Sequence, residues 1–356
     1  MSRVYDSWEK LVGAVLDREE LRRLALCDSF TTSNYSDHSS RFSFDSSAAS
    51  SGRNNFSYPI ARPIELKEIR KATENFRPAM FIGQGVMCQA FRAWIDEHAL
   101  VASKPGSGMA VTVKKWCNYL ERHQDWLKKI DYLVQLRHPK LVNLVGYCTE
   151  EDNMMLVYEF MPNGSLSDHL FTTQNQSLPW TRRIRVALDV ARGLCYLHDR
   201  DRPIIHRDFK LDNIFLDWEL NAKLSNYSYG TDDPTGEKAC VGTHQVFVAH
   251  GYTAPEYTLK GHLTTKSNVY TFGVVLLELL SGTLASNLNL GKSYFGTKSR
   301  LLQIIDVRLG GQYSHDAAYE VVKLALKCLN QDPKARPRMA DVVVALQQLQ
   351  GHEPVQ

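Results

Sequence analysis

His206-Arg207-Asp208-Phe209-Lys210-Leu211-Asp212-Asn213 joins a helical pattern ending near His198 to the apolar stretch Ile214-Phe215-Leu216. In it an aspartate is followed two residues later by lysine and five later by asparagine. That set is chemically legible: a carboxylate to act as base for a hydroxyl, a cation to neutralise a phosphoryl group, and an amide oxygen to ligate a divalent ion. A His-Arg-Asp triplet alone is common by chance. The full eight-residue pattern is specific when Val111-Thr112-Val113-Lys114 stands upstream and Ala254-Pro255-Glu256 follows about 45 residues later, as here.

Around this stretch the apolar pattern runs unbroken from Ile64 to about Leu349, which predicts one large domain. Its first part reads as strands at Ala79 to Ile95 and Met109 to Trp116, a helix over about 120 to 136, and strands near 144 to 160. The second part is helical, with patterns at Ser165 to Leu170, Trp180 to Asp199, Ser267 to Ser281, Ala317 to Asn330 and Met339 to Leu349. Ahead of the domain, Ile64, Leu66, Ile69 and Ala72 predict a short helix leading to Phe76, an extension over 59 to 75. Residues 28 to 58 are serine-dominated without apolar periodicity and read as a disordered linker. Residues 1 to 27 carry an amphipathic helix that either docks a partner or lies on a membrane surface, or else packs on its own domain.

Composition narrows the function classes. The 356 residues are 44% hydrophobic and 23% charged, with a net charge of +3, so neither a wholly disordered chain nor a nucleic-acid partner is expected. Seven scattered cysteines form no C-x-x-C pair, which fits a reducing cytosol. The longest apolar stretch, Phe272 to Leu280, is interrupted by Glu278 and falls short of the roughly 18 to 20 residues that cross a bilayer. Ser2 stands where myristoylation requires glycine, so the expected location is the cytoplasm, with peripheral membrane contact as the alternative that the first helix opens.

Together these motifs resemble the eukaryotic protein kinase domain over roughly residues 76 to 350. More narrowly, Glu65-Leu66 through Asn75-Phe76, Leu156 through Leu166 (LVYEFMPNGSL) and Phe272 through Gly282 (FGVVLLELLSG) are similar to plant receptor-like cytoplasmic kinases of subfamily VII. The resemblance implies an α+β bilobal fold, a small β-rich N-lobe on a larger helical C-lobe. It implies Asp208, Lys210 and Asn213 as catalytic positions, and Ile82, Gly83, Gly85, Ala90, Lys114, Glu159 and Met161 as nucleotide-binding ones. Tyr158 would be the gatekeeper, Asn213 and Asn226 the metal positions, and Glu256 with Arg336 the ion pair anchoring the activation segment.

The chain departs from that family at several of these positions. Cys88 holds the third glycine of Gly83-Gln84-Gly85-Val86-Met87-Cys88, and Ala90 the valine that covers adenine. Lys129 occupies the place of the glutamate that should pair with Lys114, and two cations about 4 Å apart would repel by about 4 kcal/mol at intermediate dielectric. The side chains should splay, and an active-like position of the helix is disfavoured. Asn226-Tyr227-Ser228 replaces Asp-Phe-Gly, so magnesium loses its carboxylate ligand and Ser228 removes the backbone freedom of glycine. Ala249 replaces a threonine that bridges to the catalytic aspartate and lysine, and Asn268 the aspartate that ties the catalytic loop to the central helix.

These departures converge on metal, phosphate and peptide handling. They favour a pseudokinase that binds other kinases or receptor kinases, with a weakened ATP site and poorly held Mg2+. The alternatives are a low-activity Ser/Thr kinase, because Asp208, Lys210, Asn213 and Lys114 all survive, and a switch that binds ATP without metal. Ser43, Thr235 and Thr243 are candidate phosphorylation targets for a partner kinase.

Overall fold

The computed structural model describes residues 60–350 except 86–87, 117–122, 151–152, 172–176, 228–230, 233–250, 262, 285–286 and 288–297. The predicted first helix, the serine-rich linker, and Ser43, Ser228, Thr235, Thr243 and Ala249 therefore lie outside the described residues.

In chain order the N-lobe elements are β1 (Arg62–Pro63), α1 (Leu66–Ala72), β2 (Phe81–Gln84), β3 (Cys88–Ile95), β4 (Met109–Trp116), α2 (His123–Leu133), β5 (Leu144–Cys148) and β6 (Met155–Glu159). The sheet has the order β1-β5-β6-β4-β3-β2. Strand alternation sorts its side chains. Phe91, Ala93, Val111, Val113, Met155 and Val157 join one buried cluster with Leu66, Ile69 and Ala72 of α1. Lys114 and Trp116 fall on the opposite face by the same period of two. Trp116 there meets Trp126 of α2, with ring centroids 5.0 Å apart.

Strand β1 was not visible in the sequence. It pairs parallel with β5, Arg62 opposite Gly146 and Pro63 opposite Tyr147. This contact requires a glycine, since a Cβ on Gly146 would lie 2.6 Å from Ile64 Cδ1 and 2.7 Å from the Arg62 carbonyl oxygen. Residues 62–72 thus add a strand and a helix to the N-lobe core. Helix α1 lies where the periodicity placed it, with Glu68 in its first turn and Arg70 and Lys71 in its last, charges that suit the helix dipole.

The C-lobe begins with α3 (Leu166–Phe171) and α4 (Trp180–His198), then the short strands β7 (Ile204–Ile205), β8 (Ile214–Leu216), β9 (Ala222–Leu224) and β10 (Thr231–Asp232). Helices α5 (Pro255–Lys260), α6 (Thr265–Ser281), α7 (Lys298–Leu302), α8 (His315–Cys328) and α9 (Met339–Gln350) follow. Helix α6 starts at a reciprocal Thr264/Ser267 capping box and stops at Gly282 in the left-handed conformation, φ 63°. Its long apolar run is buried along almost its whole length, as expected of a central helix. No described helix is long and apolar enough to cross a membrane.

Candidate functional site

The His206–Asn213 stretch lies between β7 and β8, and its backbone is fixed from both sides. The His206 N–H donates to Asn268 Oδ1 and the Asn268 Nδ2 donates back to the His206 carbonyl, each at 2.8 Å. The expected loss of the tie at Asn268 is therefore corrected: an amide carries both a donor and an acceptor, and one side chain serves both backbone groups. His198 Nε2 lies 3.2 Å from the same Oδ1, and burial holds its pKa down at about 4. On the other side His206 Nε2 meets the Ser225 carbonyl at 2.8 Å, and burial keeps His206 below its usual pKa.

From this base a line of hydrogen bonds crosses the cleft. Lys114 Nζ, carried by β4, donates to Asn226 Oδ1 at 2.5 Å. Asn226 Nδ2 donates to Asn213 Oδ1 at 2.6 Å. Asn213 Nδ2 donates to both the carbonyl and the Oδ2 of Asp208, each at 2.7 Å. Lys210 Nζ closes the line 3.1 Å from Asp208 Oδ1. Asn226 has φ 59°, a left-handed conformation that asparagine adopts more readily than most residues with a side chain. Burial draws the Lys114 pKa below the usual ammonium range, and Cys88 and Asp208 act in the opposite direction. Sequence reasoning marked Lys114, Asp208, Asn213 and Asn226, and the structure brings all four together.

Lys129 stands apart from this line. Its Nζ lies 5.2 Å from the ring centroids of both Trp116 and Trp126. Trp126, Ile130 and Leu133 of the same helix are buried in the core. At that distance the ammonium gains cation–π attraction from both indoles. The tryptophans were missed in the sequence, although the strand period already placed Trp116 on the Lys114 face.

Tyr227 is buried, its hydroxyl donating to the Val142 carbonyl at 2.6 Å, and burial raises its pKa well above the ordinary phenol value. It meets Tyr158 edge to face at 6.4 Å. The Glu159 side chain is held by Lys223 Nζ, 2.8 Å from each carboxylate oxygen, and by the Asn143 N–H at 2.7 Å. These partners of Glu159 carried no signal in the sequence. Met161 is buried beside it, whereas Ile82 is exposed at the other end of the lid strand. Ala90 is directly opposite Lys114 in the β3–β4 ladder, and Gly83 opposite Ala90. The Gly85 N–H donates to the Cys88 carbonyl at 2.8 Å.

Below the cleft, Arg336 forks onto Glu256 with two contacts of 2.7 Å. Burial pushes the Glu256 pKa up, but the bonds from Arg336, its own backbone and Ser267 hold it below the usual carboxylate range.

Residues 79–346 match the family described as protein tyrosine and serine/threonine kinase. The chain belongs to this kinase family. It is 48% identical over 309 residues to the Arabidopsis thaliana protein named Probable serine/threonine-protein kinase PBL3, covering 84% of this chain and 72% of that one. With Receptor-like cytoplasmic kinase 176 of Oryza sativa subsp. japonica it shares 46% over 302 residues, 81% of this chain and 76% of the relative. The resemblance read from the motifs to receptor-like cytoplasmic kinases and the bilobal fold both hold. The kinase lobes are thus the frame on which the asparagine and lysine substitutions sit.

Proposed function

We propose that this kinase-like chain is a binding component of receptor-kinase signalling that does not transfer phosphate. The observation that carries the reading is Asn226, an amide engaged at both ends by Lys114 and Asn213. A divalent hard cation is held by charged or free oxygens. Here both expected ligand oxygens already accept a hydrogen bond, Asn226 Oδ1 from Lys114 and Asn213 Oδ1 from Asn226, and neither side chain carries charge. The residues present do not fit a catalytic magnesium site. Binding of ATP is correspondingly weakened, and the folded surface is left as the working part.

Its partners are other kinases or receptor kinases, a role in keeping with the name of the rice relative. A second reading, a Ser/Thr kinase of low activity, is favoured by the intact contacts among Asp208, Lys210 and Asn213. Phosphate transfer from labelled ATP, to the chain itself and to a generic protein substrate, separates the two. Incorporation no higher than in Asp208→Ala supports the binding role. Turnover that disappears in Asp208→Ala overturns it.

A further inference from the structure

The Asn226–Asn213 contact has an electrostatic content beyond the loss of a ligand. Two oxygens 2.6 Å apart repel unless something positive lies between them. A carboxylate at 226 would place such a pair across the cleft and call for a cation. The amide brings its own polar hydrogens to the same spot, and its oxygen accepts from the Lys114 ammonium. A metal entering here would have to break that bond and would sit beside Lys114.

We propose that the Asn226 amide stands in place of the divalent cation, so that the cleft takes the polyphosphate of a nucleotide free of metal, its charge met by Lys114 and Lys210. This rests on the reading of Asn226 as an amide closed to magnesium and deepens it by naming the form of the ligand. Lys114 is suited to the task, because its half-buried ammonium, aimed at Asn226 Oδ1, is poorly solvated and gains from an incoming anion. Lys210 ends the line, its side chain 26% exposed. Asn226 holds Lys114 and Asp208 holds Lys210 before any ligand arrives, which lowers the cost of ordering them.

Titration calorimetry on the full chain tests this, using ATP in EDTA, ATP in excess Mg2+, and the same pair of titrations on Asn226→Asp. The wild-type dissociation constant is expected to rise by at least about tenfold in excess Mg2+, where nearly all the ATP is already complexed with metal, while Asn226→Asp binds at least about tenfold more tightly with Mg2+. A wild-type constant that is unchanged or tighter in Mg2+ overturns the proposal, and so does absence of ATP binding in both buffers. Either result leaves the phosphate-transfer assay to decide the binding role on its own, so the two readings fail separately. If Asn226→Asp does not fold, water-proton relaxation of Mn2+ with ATP and wild-type chain decides the matter. Enhancement above that of the Mn2+–ATP complex alone overturns the proposal, and none, with ATP binding present in EDTA, supports it.

Discussion

Asn226 does three things with one side chain: it tolerates a left-handed backbone, accepts from Lys114 and donates to Asn213. Asn226→Ala keeps none of these and leaves two polar groups without their partner, so a loss of about 2–4 kcal/mol is expected in urea unfolding. A second expectation concerns pH. Burial lowers the His198 pKa from 6.5 to about 4. A histidine kept neutral by folding contributes stability that is complete above pH 6.5 and disappears as pH falls toward 4, on the order of 3 kcal/mol for this half-buried residue. His138, also held at about 4 chiefly by burial, loses stability in the same window. Urea midpoints at pH 7.5 and 4.5 should therefore diverge, and by less in His198→Gln. The substitutions at 88, 129, 226 and 268 were all legible from motif spacing. What each new side chain would bond was not, because the partners come from far along the chain: Lys114 and Asn226 are 112 residues apart.

At the scale of elements, α2 packs Trp126 against Trp116, with the Lys129 ammonium over both rings. Lys129→Met retains the aliphatic stem and removes the ammonium that faces the two indoles, for an expected loss of about 0.5–2 kcal/mol. Trp126→Ala empties a fully buried site and should cost about 3–5 kcal/mol. Chemical denaturation of both variants ranks the two contributions, and a larger loss in Lys129→Met would contradict the ordering. Strand β1 offers a sharper test, because Gly146→Ala drives a methyl into Ile64 and the Arg62 carbonyl. Limited proteolysis should then cut between residues 60 and 75 faster than in the wild type. Helix α1 was legible because it repeats its apolar residues at helical spacing. The strand before it was not, since two exposed residues held by backbone pairing carry no alternation to read.

For the whole molecule, the kinase architecture was readable because the motifs fall at the junctions of long periodic elements, where few other folds place them. The C-lobe keeps its deepest anchor. Arg336 gives Glu256 two hydrogen bonds and also donates to the carbonyls of Asn330, Lys266 and Gln331. Arg336→Ala strands a carboxylate whose side chain is only 13% exposed, and a loss of about 3–5 kcal/mol should register as a lower melting temperature. The line from Lys114 on β4 to Lys210 in the loop after β7 crosses from one lobe to the other with no ligand included. Most enzymes of this architecture need fuel in the gap to draw their halves together. A molecule that bolts its own jaws in advance presents the same outline to a neighbour whether the cell is rich or poor in energy.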